Sequence, residues 1–131
     1  MCGISGMFAS PDEVVIQRMV SILSHRGPDG NGIWQDSDIA LGHTRLSIVD
    51  LVGSSQPIIG NNGTVLIANG EIYNHQELRS YLMKKGLKFQ TNHSDSEVVL
   101  LGISRFGISF IEKLIGQFAI SFLDNNSNKL Y

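Results

Sequence analysis

The stretch MCGISGMFA, residues 1–9, decides how this sequence is interpreted. Residues 3–9 are apolar and rich in small side chains, which predicts a short buried strand. Cys2 stands directly before this strand and is small enough for removal of Met1 to be plausible. On position alone, Cys2 is more simply explained as a small buried side chain, since free cysteines are among the most buried residue types.

Removal of Met1 would give Cys2 a second chemical function. The residue would then carry a thiol and a free α-amino group, whose unperturbed pKa of about 7.7–8.0 leaves part of it unprotonated near neutral pH. A nucleophile needs a neighbouring base, and an N-terminal amine can be that base without a histidine. Cys2 is therefore a candidate nucleophile, and the rest of the sequence must decide between this role and that of a small buried side chain.

Composition limits the classes of protein to which the chain can belong. With 131 residues, of which 42% are hydrophobic and 17% charged, it has the content of one globular domain. The net charge is −2, and no cluster of lysine and arginine predicts a nucleic-acid or membrane-surface partner. The sequence has no apolar run near the roughly 18 residues of a membrane span and no signal-peptide pattern. A single cysteine favours a reducing, cytoplasmic setting.

The pattern beyond residue 9 predicts mixed α and β structure without repeats. Pro11 and Asp12 begin a helix with an inward apolar stripe, which consists of Val15, Ile16, Met19, Val20 and Leu23. Residues 24–30 are predicted to form a loop and residues 50–63 a surface excursion. Strands are predicted at residues 32–35, 39–47, 64–68 and 117–123, the third of which ends at Asn69-Gly70.

Two further helices are predicted in the second half of the chain. Residues 74–85 form the first, with Leu78, Tyr81 and Leu82 facing inward. Ser94-Asp95-Ser96-Glu97 opens the second and fits a capping box, to which Glu97 is assigned. Residues 129–131 begin a last strand with no turn after it, so that residues 1–131 are expected to be an incomplete domain.

Several blocks along the chain carry a family resemblance. They are HRGPDG at 25–30, GHTRLSIVD at 42–50, QP at 56–57, NGEIYN at 69–74, SDSE at 94–97 and GQFA at 116–119. In this order, and together with Cys2-Gly3-Ile4, they resemble the glutaminase domain of the asparagine synthase family, a class II glutamine amidotransferase. The RGPDG block differs from RGYDS, which is typical of the aminosugar-synthase branch.

The resemblance implies a fold and a reaction. The fold is the α+β architecture of the N-terminal-nucleophile hydrolases, a four-layer α/β/β/α sandwich, of which the residue pattern alone predicts only mixed α and β. In the reaction, Cys2 attacks the side-chain amide of glutamine and forms a thioester that water hydrolyses. The side-chain amide of Asn69 and the backbone N–H of Gly70 would bind the oxyanion. Without the family, Asn69-Gly70 is more simply a turn.

The resemblance also assigns the groups that bind the substrate. Arg45 would hold the α-carboxylate of glutamine through two parallel hydrogen bonds, although on residue pattern alone a surface pair with Asp50 is preferred. The residues that complete the pocket beside Arg45 are Leu46, Ile48 and Val49. Asp95, assisted by Glu71, would hold the α-ammonium group, and it also suits a helix N-terminus. Arg26 and Asp29 are expected to support the nucleophile from a neighbouring loop.

The expected partners follow from the same resemblance. Glutamine is the substrate, and a synthetase domain or chain would receive the ammonia, using ATP and Mg to amidate aspartate. No cofactor or metal is expected in this domain, because its four histidines lack metal-ligand spacing. A homodimer is possible. The alternatives are a non-catalytic remnant or regulatory binding module, a domain that serves another acceptor such as a sugar, and a hydrolase of another amide.

Overall fold

Seven strands form two antiparallel sheets in the computed structural model, which describes residues 1–47 and 55–131. The strands are β1 (Gly3–Phe8), β2 (Gly30–Gln35), β3 (Ile39–Arg45), β4 (Ile58–Ile59), β5 (Val65–Ile72), β6 (Gly116–Asp124) and β7 (Lys129–Leu130). The first sheet has the order β1-β3-β2 and the second has the order β4-β5-β6-β7. Each predicted strand is present, and the surface excursion contains β4 in its described part.

The two sheets face each other across an apolar core. Side chains of a strand alternate between its two faces, so that every second residue of β3 and β5 points toward the other sheet. The core between the sheets consists of Ile39, Leu41, Val65, Ile67 and Leu123, with Ile4 and Trp34 at its margin. This shared core fixes the distance between the sheets.

The helix α1 (Glu13–Ile22) covers the outer face of the first sheet. Asp12 caps it, because its Oδ1 accepts a hydrogen bond from the Val15 N–H at 2.9 Å. Ile16 and Val20 are buried against Gly42 of β3, where an added Cβ would lie 2.4 Å from Val20 Cγ2. Val15, which was predicted to face inward, is 42% exposed, since Ile16 and Val20 take the one stripe that reaches the sheet.

Helices α2 (His75–Lys84) and α3 (Asp95–Phe106) cover the outer face of the second sheet. Their buried side chains pack with those of β5 and β6, and the main contributors are Leu66, Leu78, Leu82, Val98, Val99, Ile103 and Phe122. Tyr81, predicted to face inward, is 37% exposed, and its ring lies 5.8 Å from that of Phe106. The chain is thus layered helix, sheet, sheet, helices.

Strand β5 differs from its predicted length. It continues through Asn69-Gly70 to Ile72, pairing with β6 from Val65 opposite Leu123 to Ile72 opposite Gly116. The turn interpretation of Asn69-Gly70 is therefore wrong, because eight consecutive residues of β5 have partners on β6. Within residues 1–47 and 55–131, no helix combines the length and apolar character that a membrane span requires.

Candidate active site

A cavity of about 190 Å³ opens where the two sheets meet at one end of the sandwich. It collects residues that are distant in sequence, from the start of β1, the end of β3, the middle of β5 and the start of α3. The predicted site residues that line it are Cys2, Arg45, Leu46, Asn69, Gly70, Glu71 and Asp95. Ile48 and Val49, also predicted for the pocket, lie outside the described residues.

The thiol of Cys2 is positioned by the segment that follows β3. Gly3 pairs with Thr44, which brings Cys2 beside Arg45 and Leu46. Cys2 Sγ accepts a hydrogen bond from the Leu46 N–H at 3.3 Å and lies 3.8 Å from the Leu46 carbonyl oxygen. Cys2 is half-buried, so the sulfur is held in place and still reaches the cavity.

The loop that carries Arg26 and Asp29 forms hydrogen bonds to Cys2 and to the end of β3. Arg26 Nε donates to the Cys2 carbonyl oxygen at 3.0 Å. Asp29 accepts from the Ser47 N–H at 2.7 Å, and its own N–H donates to the Arg45 carbonyl at 2.9 Å. The loop therefore holds the nucleophile segment and the arginine segment together, although neither of its two side chains lines the cavity.

Gly27 allows that loop to lie against β3. A Cβ built at this position would be 2.4 Å from the Thr44 carbonyl carbon and 2.5 Å from the Arg45 nitrogen. Real Cβ atoms do not approach backbone so closely, so a larger side chain would push the loop away from β3. The first glycine of the HRGPDG block, Gly27, thus has a packing function.

Asn69 and Gly70 form the part of β5 that faces the cavity. Asn69 has the same strand parity as Val65 and Ile67, whose side chains point toward the first sheet. Its Oδ1 is buried and has no hydrogen-bond partner among the described residues. A buried polar atom without a partner costs about 1–3 kcal/mol, which a bound molecule can recover by supplying the partner.

Gly70 has a backbone that other residues rarely adopt. Its φ is +152°, and a Cβ at this position would lie 2.0 Å from the Gln117 carbonyl oxygen. Gly70 therefore keeps β5 and β6 in close contact at the cavity floor and leaves its own backbone exposed there. Glu71, the next residue, is exposed and also lines the cavity.

Asp95 lies at the first turn of α3 with its carboxylate held by three donors. Oδ2 accepts from the Ile72 N–H at 3.0 Å, while Oδ1 accepts from the Ser96 N–H at 2.7 Å and from the Ser96 hydroxyl at 3.3 Å. An ionised carboxylate has about four acceptor sites, so capacity remains for a cationic ligand in the cavity. Asp95 thus faces the cavity from the second sheet's side, and Arg45 faces it from the first.

The start of α3 is fixed by a network around Glu97. Ser94 Oγ accepts from the Glu97 N–H at 3.2 Å, which is one half of the predicted capping box. The other half is absent, because the Glu97 carboxylate accepts instead from the N–H groups of Gln90 and Thr91, at 2.6 and 2.9 Å. Arg79 lies 3.9 Å from that carboxylate and donates to the Ser94 carbonyl at 3.0 Å.

Six lining residues were not predicted from the sequence, and two of them, Met1 and Ala68, are chain neighbours of Cys2 and Asn69. Tyr73 and Gln117 reach the cavity from the end of β5 and the start of β6, and Gln117 stands opposite Glu71 in the strand register. Gln56 and Ser96 reach it from the segment before β4 and from α3. All four lie in family blocks, so their places in the sequence carried a signal, but only the fold brings them to one cavity.

His43 contacts Ala68, which lines the cavity, and it had no predicted role beyond the metal question. It is 1% exposed, and its Nε2 lies 3.2 Å from the Ala68 carbonyl oxygen. Burial lowers the pKa of His43 from 6.5 to about 4, and the positive charge of Arg45 acts in the same direction. In the described part of the chain, no group of three or more His, Cys, Asp or Glu side chains could hold a metal ion.

Comparison with known proteins gives concordant results. Residues 1–131 match the family described as glutamine amidotransferase domain. The chain is 37% identical to glutamine-hydrolysing asparagine synthetase 1 of Arabidopsis thaliana, over 98% of this chain and 22% of that protein. It is 39% identical to asparagine synthetase B of Escherichia coli K12, over 98% of this chain and 24% of that protein. The chain thus spans about a quarter of the length of these relatives.

A solved structure matches the fold. Glutamine phosphoribosylpyrophosphate amidotransferase from B. subtilis aligns with a TM-score of 0.72 at 21% identity, over 94% of this chain and 35% of that chain. The likeness concerns the fold, and it agrees with the observed order of layers. The predicted α+β sandwich of the N-terminal-nucleophile hydrolases is confirmed.

Proposed function

Because the chain belongs to the glutamine amidotransferase domain family, we propose that it hydrolyses glutamine to glutamate and ammonia through Cys2. The observation that carries the proposal is the set of groups around one cavity. A thiol lies there with a guanidinium group from the first sheet and a carboxylate from a helix packed on the second, namely Cys2, Arg45 and Asp95. A free α-amino acid has one carboxylate and one ammonium group, which suit the positive charge of Arg45 and the negative charge of Asp95.

The proposed reaction begins when the α-amine of Cys2, freed by removal of Met1, takes the proton of the thiol. The thiolate attacks the amide carbon of glutamine, and the Asn69 side-chain amide and the Gly70 N–H stabilise the oxyanion. The C–N bond then breaks, and ammonia leaves with the proton held by the amine. Water attacks the thioester, and the C–S bond breaks to give glutamate and the thiol.

Met1 bears directly on this mechanism. It lines the cavity beside Cys2 and is 71% exposed. While Met1 is attached, the Cys2 nitrogen is an amide and cannot act as a base. Removal of Met1 would therefore supply the base and enlarge the cavity in one step.

The ammonia acceptor belongs to the same proposal. Its support is the set of relatives, which are named as glutamine-hydrolysing asparagine synthetases and are about four times as long as this chain. We place the chain as the ammonia-producing part of an asparagine synthase-type enzyme, in which a synthetase domain or chain uses ATP and Mg to amidate aspartate. Incorporation of ¹⁵N from amide-labelled glutamine into asparagine, rather than into an aminosugar, tests this part.

Glutamate release by the purified chain, compared with Cys2→Ala, tests the hydrolysis itself. Cys2 is the only cysteine in the sequence, so alkylation of the wild-type chain modifies a single thiol and provides a second test. We expect both treatments to abolish release, and glutamine to slow the alkylation. The intact mass should lack one methionine residue. Glutamate release that survives in Cys2→Ala would contradict the proposal, and retention of Met1 in an active chain would exclude the amine as the base.

A further inference from the structure

Gln56 replaces a missing strand neighbour at the edge of β5. Strand β4 pairs Ile58 with Leu66, and continuation of this antiparallel register brings Gln56 level with Ala68. There the side-chain amide of Gln56 makes the two hydrogen bonds that the backbone of a neighbouring strand would make. Its Oε1 accepts from the Ala68 N–H at 2.6 Å, and its Nε2 donates to the Ala68 carbonyl oxygen at 3.2 Å. The two bonds also fix which end of the amide is oxygen. In a flipped amide the NH₂ group would face the Ala68 N–H, and the oxygen would face the Ala68 carbonyl oxygen.

The same amide has a second arm that reaches α3. Its Nε2 also donates to Ser96 Oγ at 3.3 Å, which uses the second hydrogen of the NH₂ group. The Ser96 hydroxyl in turn donates to Asp95 Oδ1 at 3.3 Å. Ser96 is 8% exposed and Gln56 is half-buried, so this chain of hydrogen bonds is largely shielded from water. It runs from the backbone of Ala68 to the carboxylate of Asp95.

We propose that Gln56 is a positioning residue, which sets Asn69 and Asp95 relative to each other across the cavity. The inference rests on the proposed glutaminase function. The Ala68 carbonyl and the Asn69 nitrogen belong to one peptide plane, so an anchored carbonyl orients the residue that would bind the oxyanion. The other arm orients the carboxylate that would bind the ammonium group. Small displacements matter here, since a misplacement of about 1 Å can reduce turnover about 100-fold.

Removal of the amide should leave the fold in place. The Ala68 carbonyl retains His43 as a donor, at 3.2 Å, so only the Ala68 N–H loses its partner. In Gln56→Met the side chain keeps nearly the same length and has no hydrogen-bonding amide. We expect kcat for glutamine hydrolysis to fall about 10-fold to 100-fold, because Ala68 loses both hydrogen bonds to Gln56 and the peptide that leads to Asn69 is held by His43 alone.

Ser96→Ala separates the two arms. It removes the link to Asp95 and leaves both bonds between Gln56 and Ala68, so KM for glutamine should rise about tenfold while kcat stays within about twofold. The double variant with Gln56→Met should change kcat/KM by less than the product of the single effects, because both act on one chain of hydrogen bonds.

Thr64→Val is the matched control. Thr64 is buried, lies one residue before β5 and bonds Ser104 Oγ at 3.3 Å, away from the cavity. It should lower the melting temperature about as much as Gln56→Met and leave kcat and KM unchanged. Wild-type constants in Gln56→Met, or a loss of activity no larger than in Thr64→Val, would overturn the inference and leave the proposed function standing. Absence of glutamate release from the wild-type chain would refute the proposed function, and the inference with it.

Discussion

At the scale of the residue, His43 is a case in which burial decides the chemical state of a side chain. It follows Ile39 and Leu41 on the face of β3 that packs against the second sheet, and it meets the carbonyl of Ala68 there. Because its pKa is lowered to about 4, it is neutral near pH 7. A carbonyl can only accept, so Nε2 carries the hydrogen and Nδ1 is left as a buried acceptor.

His43 should make the stability of the chain depend on pH in mildly acidic solution. Between about pH 4 and 6.5 the unfolded chain binds a proton at this residue and the folded chain does not, so stability rises with pH across that interval. The contribution is complete above pH 6.5 and is lost as the pH falls toward 4. His43→Gln keeps an N–H donor for Ala68 without titrating, so its free energy of unfolding should vary less with pH.

Urea denaturation at several pH values between 4 and 7 measures this effect. His93→Gln is the matched control, since His93 is exposed, and it should keep the wild-type slope. An equal slope in His43→Gln and in the wild type would mean that burial does not keep His43 neutral.

At the scale of the element, β5 is the strand on which the site is built. Its first half alternates regularly between the two cores, with Val65 and Ile67 toward the first sheet and Leu66 and Ala68 toward the helices. From Asn69 to Glu71 the strand is less buried, since its three residues are half-buried or exposed. Pairing with β6 keeps this part extended, so the strand can present both side-chain and backbone groups to the cavity.

Gly70→Ala tests that arrangement. The new methyl group would lie 2.0 Å from the Gln117 carbonyl oxygen, so β5 and β6 would have to separate. We expect a loss of about 1–3 kcal/mol in the free energy of unfolding, the usual range for overpacking, together with a fall in glutamate release. Gly30→Ala is the control, because apart from its chain neighbours no atom of residues 1–47 and 55–131 lies within 4 Å of the added Cβ, and it should change stability by less than about 0.5 kcal/mol. Similar melting temperatures for the two variants would contradict the prediction.

At the scale of the whole molecule, the cavity is divided between the two sheets. Cys2 and Arg45 come from the first sheet, while Asn69 comes from the second and Asp95 from a helix packed on it. The geometry of the site therefore depends on the spacing of the sheets, which the core between them sets. The core under α2 and α3 stabilises the second sheet without separating the two halves of the cavity.

Ile67→Ala and Leu82→Ala should separate stability from site geometry. Ile67 is 1% exposed in the core between the sheets, and Leu82 is fully buried under α2. Each truncation should cost about 2–5 kcal/mol. At a temperature where both variants remain folded, kcat/KM for glutamine should fall further in Ile67→Ala. Only the space left by the Ile67 side chain lies between the two sheets that carry the site. Equal losses of activity would show that sheet spacing does not control the site.

The sequence by itself determined the features that rest on nearby residues. Contacts within a few residues explain the helix caps Asp12 and Ser94. Strand and helix periodicity explains the positions of the strands and the buried stripe of Ile16 and Val20. The family was also accessible, because its blocks are contiguous runs, and the comparison confirms it. The roles assigned to Cys2, Arg45 and Asp95 remain predictions, to which the structure adds a shared cavity.

Only the tertiary structure decided the features that join distant segments. Gln56 bonds Ala68 and Ser96, 12 and 40 residues away in the sequence, so these hydrogen bonds are visible only in the folded chain. Asn69-Gly70 is a turn signal when taken locally, and pairing with β6 makes it part of a strand. Glu97 is drawn away from its capping box by Arg79 and the N–H groups before α3. Local patterns express the preferences of single residues, whereas packing and long-range hydrogen bonds determine which preference is satisfied.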